Sequence, residues 1–288
     1  MFNGAYTALV TPFNKDGSID FGKLRELVKL QIDAGISGVV PVGTTGESPT
    51  LDFQEHCKVI DETIRTASGR IKVIAGTGAN STSEAIELTR HAIESGADAS
   101  LQVTPYYNKP NQEGLTRHFS AIADLGLPVI LYNVPGRTGR EIAVDTVVTL
   151  AKHPKIVAVK EAGGSVERVS AIVRRCKMTV LSGDDSLTLP MMAVGAKGVI
   201  SVASNVAPRP IVKMTQLALD NKYAEARKLH LKYYRLFCDL FIDSNPIPVK
   251  AAMAMMGLIK ETYRLPLCPM APKLRDQLAA CMREINLI

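Results

Sequence analysis

Lys160 closes the apolar run Ile156-Val157-Ala158-Val159 and is followed by Glu161-Ala162-Gly163-Gly164. A lysine at such a place is seldom fully buried, because its ammonium must give up hydration. It is paired, it reaches solvent, or it is reactive. A strand-end lysine that snorkels to solvent or to a carboxylate such as Glu161 is the commoner case. The other case carries chemistry. An ordinary lysine, with a pKa of about 10.4, is a free amine in only roughly one molecule in 2,500 at pH 7. Desolvation lowers that pKa and yields a nucleophile able to form an imine with a carbonyl.

Other segments could supply partners for it. Gly43-Thr44-Thr45-Gly46-Glu47-Ser48 offers two hydroxyls and flexible backbone amides suited to a carboxylate, although a plain turn reads the same way. It lacks the G-K-[ST] element of a phosphate-binding P-loop. Thr104-Pro105-Tyr106-Tyr107-Asn108-Lys109-Pro110 places paired tyrosines beside prolines, a pattern also produced by packing alone. Tyr132-Asn133-Val134-Pro135-Gly136-Arg137-Thr138-Gly139 adds a phenol and a guanidinium. Asp184-Asp185 suggests a metal, but no further carboxylate or histidine stands at ligand spacing, so a hydrogen-bonded loop is expected. Gly76-Thr77-Gly78-Ala79-Asn80-Ser81 misses the third glycine of a dinucleotide fingerprint. The five cysteines (Cys57, Cys176, Cys238, Cys268, Cys281) are scattered without a C-x-x-C pair and read as reduced, mostly buried thiols. The five histidines show no metal-ligand spacing.

These residues need elements to hold them. Short apolar runs at 5–10, 38–42, 73–76, 99–104, 129–133, 156–160, 179–182 and 198–202 read as eight strands. Amphipathic stretches such as 21–34, 53–66 and 83–95 lie between them, the third opening on the capping signal Ser81-Thr82-Ser83-Glu84. Gly35, Gly69, Gly96 and Gly195 fall where helix C-caps belong. A repeat of about 25 to 30 residues per unit fits βα units, and near-continuous apolar strands fit a parallel sheet covered on both faces. The predicted fold is an α/β (β/α)₈ TIM barrel over residues 1–222, followed by a C-terminal helical extension over 223–288 with helices near 223–241, 248–256 and 273–285. In such barrels the active site lies at the C-terminal ends of the strands. Counting by two aligns Val42 with Thr44, Ile130 with Tyr132, and Ile156 and Ala158 with Lys160. If each set faces inward, Thr44, Tyr132 and Lys160 meet at one rim, and small Ala158 leaves room below the amine.

The chain has 288 residues, 46% hydrophobic and 22% charged, with a net charge of +6. That is ordinary for a globular enzyme. The basic stretch Arg227–Arg235 alternates with apolar residues at helical spacing, as on a solvated helix face, so nucleic-acid binding is not expected. No run is long and apolar enough for a membrane span, and the first residues lack a secretory pattern, so a cytoplasmic protein is expected.

Together, Gly43-Thr44-Thr45-Gly46-Glu47, Tyr132-Asn133-Val134-Pro135 and Lys160 resemble the pyruvate-dependent class I aldolase superfamily that includes N-acetylneuraminate lyase. Thr104–Pro110, Arg137-Thr138-Gly139 and Asn245-Pro246-Ile247-Pro248-Val249-Lys250 narrow the resemblance to the 4-hydroxy-tetrahydrodipicolinate synthase (dihydrodipicolinate synthase) family, over essentially the whole chain. The resemblance implies a lyase of the diaminopimelate–lysine branch that condenses pyruvate with L-aspartate 4-semialdehyde through a Schiff base on Lys160, with neither metal nor organic cofactor. It implies a proton relay of Tyr132, Thr44 and Tyr107, the last from a neighbouring subunit of a homotetramer built as a dimer of tight dimers. It places Thr45 on the pyruvate carboxylate, Ile200 and Gly183 as backbone contributors to the pocket, and Arg137 as the clamp on the semialdehyde carboxylate. Positions matching an L-lysine inhibitory site are Ser48, His56, Asn80, Glu84 and Tyr106; Pro49 and Phe53 depart from the lysine-sensitive pattern. Two alternatives stand beside this reading. One is another pyruvate-dependent aldolase acting on sialic acid or a 2-keto-3-deoxy sugar acid, against which Arg137 argues. The other is a barrel that binds a keto acid or amino acid without turnover.

Overall fold

The computed structural model describes residues 2–288. Eight strands, β1 Gly4–Ala8, β2 Gly38–Val40, β3 Lys72–Gly76, β4 Ala99–Val103, β5 Val129–Asn133, β6 Ile156–Glu161, β7 Thr179–Ser182 and β8 Gly198–Ser201, close in chain order into one barrel. Every pairing is parallel, and β8 returns to β1. This is the (β/α)₈ barrel expected from the repeat. The expected bounds of β5 and β7 match, whereas β1 and β2 stop earlier. At the end of β1 the Asn205 side chain replaces the ladder, accepting from Val10 N (3.3 Å) and donating to Ala8 O (2.8 Å). At the end of β2 the chain leaves the extended conformation, with Val42 at φ 50°.

Local sequence sets the surrounding helices. Asp52 and Glu55 form a reciprocal capping box at the start of the helix Phe53–Ala67, satisfying amides the helix leaves open. Ser81 does cap the helix Thr82–Ser95, but its hydroxyl bonds Ser83 Oγ (2.9 Å) and not a helix amide. Gly35, Gly69, Gly96 and Gly195 all adopt positive φ, as helix-terminating glycines do. The helix Pro208–Leu219 completes the eighth unit, and the chain continues into the helices Tyr223–Asp239, Ile247–Met255 and Pro272–Glu284, each within two residues of its expected bounds. The basic stretch lies on the first of these, which buries Ala226, Tyr233, Leu236 and Phe237 and turns its charges outward. The thiols depart from expectation: Cys57 and Cys281 are buried, Cys176 is half-buried, and Cys238 and Cys268 are exposed, all of them free. Among the described residues no helix is long and apolar enough to cross a membrane, and no cluster of three metal-ligating side chains occurs.

The pairing of β5 with β6 decides which side chains reach the inner face of the barrel at its rim. The register shifts between Val129 and Ile130, so Ile130 pairs with Ala158, Tyr132 with Lys160, and Asn133 with Glu161. That shift removes Ile156 from the expected two-residue count, while the count from Ala158 to Lys160 stands. Strand alternation sends Asn133 and Glu161 to the face opposite Tyr132 and Lys160. There the fully buried Glu161 carboxylate accepts from Asn133 Nδ2 (2.8 Å), Gly163 N (2.9 Å) and Arg168 Nε (2.8 Å). Arg168 also donates to Ile142 O. Removing one partner of such a pair leaves an uncompensated buried charge. Arg168→Met is therefore expected to lower the unfolding free energy by about 3–5 kcal/mol, read from urea denaturation.

Candidate active site

Lys160 stands at the C-terminal end of β6, only 6% exposed. Its Nζ lies 4.1 Å from the centroid of the Tyr132 ring on β5. Among the described residues no carboxylate forms an ion pair with it, and Glu161, its sequence neighbour, is engaged on the other face of the strand. Asp184 is near enough for the Lys160 charge to lower its pKa, but burial outweighs that effect and leaves the carboxyl above its ordinary range. Asp185 is loop structure, as expected: its carboxylate accepts from Ser201 Oγ (2.5 Å), Val202 N (2.9 Å) and Ala203 N (2.9 Å).

A cleft of about 230 Å³ opens over this rim, walled by Thr44, Tyr106, Tyr132, Arg137 and Thr138 among others. Thr44 thus shares the cleft with Tyr132, but not by strand alternation. The left-handed backbone at Val42 ends the strand before Thr44, which is delivered by the turn 43–48. That turn closes on itself through Gly46 N to Gly43 O (3.0 Å), Glu47 N to Thr44 O (3.1 Å) and Ser48 N to Gly43 O (3.3 Å). Thr45 is buried, and its Oγ1 accepts from Asn245 Nδ2 (3.0 Å), which leaves its own hydroxyl proton to donate. Arg137 is exposed at the mouth and donates through Nη2 to Asn245 O (3.2 Å). One residue, Asn245, therefore ties Thr45 to Arg137.

Gly183 and Ile200 complete the surroundings. A Cβ on Gly183 would lie 2.6 Å from Ala162 Cβ and 3.0 Å from Lys160 Cε, so glycine keeps space for the lysine stem. Its N–H already donates to Glu161 O (2.7 Å), so that amide is not free for a ligand, which narrows the expected backbone role. Ile200, the register partner of Tyr6 on β1, is fully buried.

Tyr107 does not join Tyr132 and Thr44 within the chain. It is 91% exposed, on a left-handed backbone with φ 71° that holds the ring away from its own barrel. Tyr106 is exposed as well but lines the cleft, and partial burial with the nearby Glu84 charge raises its pKa. Ser48, His56, Glu84 and Tyr106 line a second cleft of about 230 Å³, together with Pro49 and Phe53. Asn80 flanks that cleft without lining it; its Nδ2 donates to Tyr106 O (3.3 Å) and its carbonyl accepts from Asn108 Nδ2 (2.8 Å). His56 Nε2 bonds Gly76 O (2.7 Å), and burial lowers its pKa, which favours the neutral ring.

Two features escaped the reading of the sequence. Asn245 and Lys250 stand in the motif that narrows the family resemblance, but the sequence assigns neither a role at the site. Lys250 sits in the apolar run Val249-Lys250-Ala251-Ala252-Met253, the same signal that singled out Lys160, and pairs with Glu47 of the turn.

A parallel barrel with a buried lysine against a tyrosine at its C-terminal rim, and hydroxyl and guanidinium groups around it, defines the class of imine-forming barrel enzymes. A sequence profile of the Dihydrodipicolinate synthetase family matches residues 1–285, and the chain belongs to that family. It is 53% identical over 291 aligned positions, covering all of both chains, to the 4-hydroxy-tetrahydrodipicolinate synthase of Geobacter metallireducens. Among solved structures it is similar to dihydrodipicolinate synthase from Aquifex aeolicus, 50% identical over 99% of each chain with a TM-score of 0.98. It is similar also to the chloride-inhibited dihydrodipicolinate synthase from Acinetobacter baumannii complexed with pyruvate, 48% identical over all of both chains with a TM-score of 0.98.

The space beside the lysine stem can be tested directly. Gly183→Ala is expected to slow borohydride-trapped labelling of Lys160 by pyruvate at least about tenfold, followed by mass spectrometry, because the methyl displaces the amine from Tyr132. An unchanged labelling rate would show that the stem tolerates the methyl.

Proposed function

We propose that this chain condenses pyruvate with L-aspartate 4-semialdehyde, the activity that fits both its family and its site. The observation that carries the reading is the Lys160 amine, buried beside the Tyr132 ring with no carboxylate paired to it among the described residues. The free amine of Lys160 attacks the ketone carbon of pyruvate, and loss of water gives a protonated imine. The imine draws electrons, so a methyl proton leaves and an enamine forms. The enamine carbon bonds the aldehyde carbon of the second substrate, whose oxygen takes a proton. The substrate's amino group then adds to the imine carbon, Lys160 departs as the amine, and the ring closes. The lysine is itself the electron sink, so these steps call for no metal or organic cofactor.

The residues divide the work by position. Tyr132, at the amine, exchanges protons with the imine and enamine, and Thr44 in the same cleft extends the relay. Tyr107, turned away from its own barrel, serves the site of a second copy, which makes a tight dimer part of the catalyst and fits a homotetramer of two such dimers. Thr45 donates its hydroxyl proton to the pyruvate carboxylate. Arg137 presents its remaining N–H groups at the mouth to the semialdehyde carboxylate, a geometry suited to paired hydrogen bonds. Gly183 contributes space and Ile200 an apolar wall. Residues 1–222 form the barrel unit and 223–288 the helical extension. A biosynthetic role of this kind belongs in the cytoplasm.

The reading is tested by offering pyruvate with L-aspartate 4-semialdehyde and, separately, with sugar aldehydes. Turnover is expected only with the semialdehyde, and preference for a sugar aldehyde would reassign the substrate. Tyr107→Phe is expected to lower kcat by about a hundredfold, within the range of general acid–base effects; an unchanged kcat would remove Tyr107 from the relay.

The second cleft supports L-lysine as an inhibitor: Glu84 pairs with an amine, and Ser48 and Tyr106 offer hydroxyls. A dose series of L-lysine in the same assay is expected to inhibit at millimolar concentration, and full activity throughout that range would refute the assignment.

A further inference from the structure

We propose that Glu47 and Lys250 are a positioning pair that sets the pyruvate end of the site by holding the turn 43–48 in its strained shape. The inference rests on the reading of Thr44 and Thr45 given above.

Both side chains are fully buried, and Lys250 Nζ donates to Glu47 Oε1. The amine also lies 4.2 Å from the Phe13 ring centroid and 5.4 Å from that of Tyr263. The other carboxylate oxygen faces Arg264 N at 3.5 Å. The pair joins the helix Ile247–Met255 of the C-terminal extension to the turn after β2, so it links distant parts of the chain at the rim. Burial lowers the Lys250 pKa, and the neighbouring Glu47 carboxylate opposes that shift in part.

A buried ion pair of this kind adds little stability over apolar side chains of similar size. What it does here is local. Two non-glycine residues there are in the left-handed region, Val42 just before the turn at φ 50° and Glu47 within it at φ 56°. Such backbone persists only where its surroundings over-determine it. Of the two intervening glycines Gly43 has open space, but Gly46 has none: a Cβ there would lie 2.8 Å from Val42 N. Thr11 Oγ1 donates to Gly46 O (2.6 Å) from one side, and Lys250 holds the Glu47 side chain from the other. Thr44 and Thr45 directly precede these two anchored residues. The same C-terminal segment also supplies Asn245 to Thr45, so a shift of Lys250 would carry through to the hydroxyl that meets the carboxylate.

The experiment measures, for wild type, Glu47→Gln and the apolar pair Glu47→Met/Lys250→Met, the pyruvate concentration that half-saturates borohydride trapping, the kcat at saturating pyruvate, and Tm. Both variants are expected to need about tenfold or more pyruvate for half-saturation, with kcat lowered by a smaller factor, because the carboxylate contact of Thr45 is misplaced and Thr44 of the relay moves with it while Lys160 and Tyr132 stay in register. The apolar pair is expected to keep a Tm near wild type, since it leaves no unpaired buried charge. Wild-type half-saturation in the apolar pair would overturn the proposal and leave the ion pair structural only; that variant decides the matter if Glu47→Gln fails to fold. A wild-type protein that traps no pyruvate overturns the functional reading instead, so the two failures are distinguishable.

Discussion

The pairing of Tyr132 with Lys160 across β5 and β6 is the constraint on which the site depends. In a parallel sheet, register partners face the same way, so the phenol and the amine are brought together by the backbone before any side-chain contact is made. The opposite face of the same two strands carries Asn133 and Glu161, locked to each other and to Arg168. A slip of one residue would exchange the two faces, placing the carboxylate inside and the amine outside. The Glu161 network is thus the means by which the lysine is kept free of its neighbouring acid. Gly183 acts at the same point from the end of β7, leaving the stem room to lie against the ring.

Around that fixed pair, the remaining groups arrive by less regular means. Thr44 and Thr45 come on a turn with left-handed backbone at both ends, and Arg137 from a short helix, Pro135–Thr138, after β5. Asn245 bridges Thr45 and Arg137 from the C-terminal segment. The helices beyond the barrel are therefore more than a cover for apolar surface; they reach back to the catalytic rim with hydrogen bonds. Tyr107 marks the opposite tendency, a ring held outside the chain that bears it.

Much of this was legible in the sequence because barrels repeat. Eight apolar runs with helices between them specify strand order, and the inward step from Ala158 to Lys160 comes from alternation. The same reasoning failed at Thr44, where the chain abandons extended geometry at Val42, a β-branched residue no propensity would place at positive φ. It failed also at Ile156, because a register shift has no sequence signature of its own. The Glu47–Lys250 pair was hidden by distance along the chain: a buried lysine is visible as an anomaly, but its partner is set by packing between the extension and the barrel. The expectation of mostly buried thiols failed at Cys238 and Cys268, where composition says nothing about which helix face a residue occupies.

The central claim is that one particular lysine carries the carbonyl substrate. Wild-type protein treated with pyruvate and borohydride, digested, and mapped by mass spectrometry tests it most directly. The reduced adduct is expected on the peptide containing Lys160 and on no other lysine. An adduct confined to another lysine, Lys250 included, would contradict it.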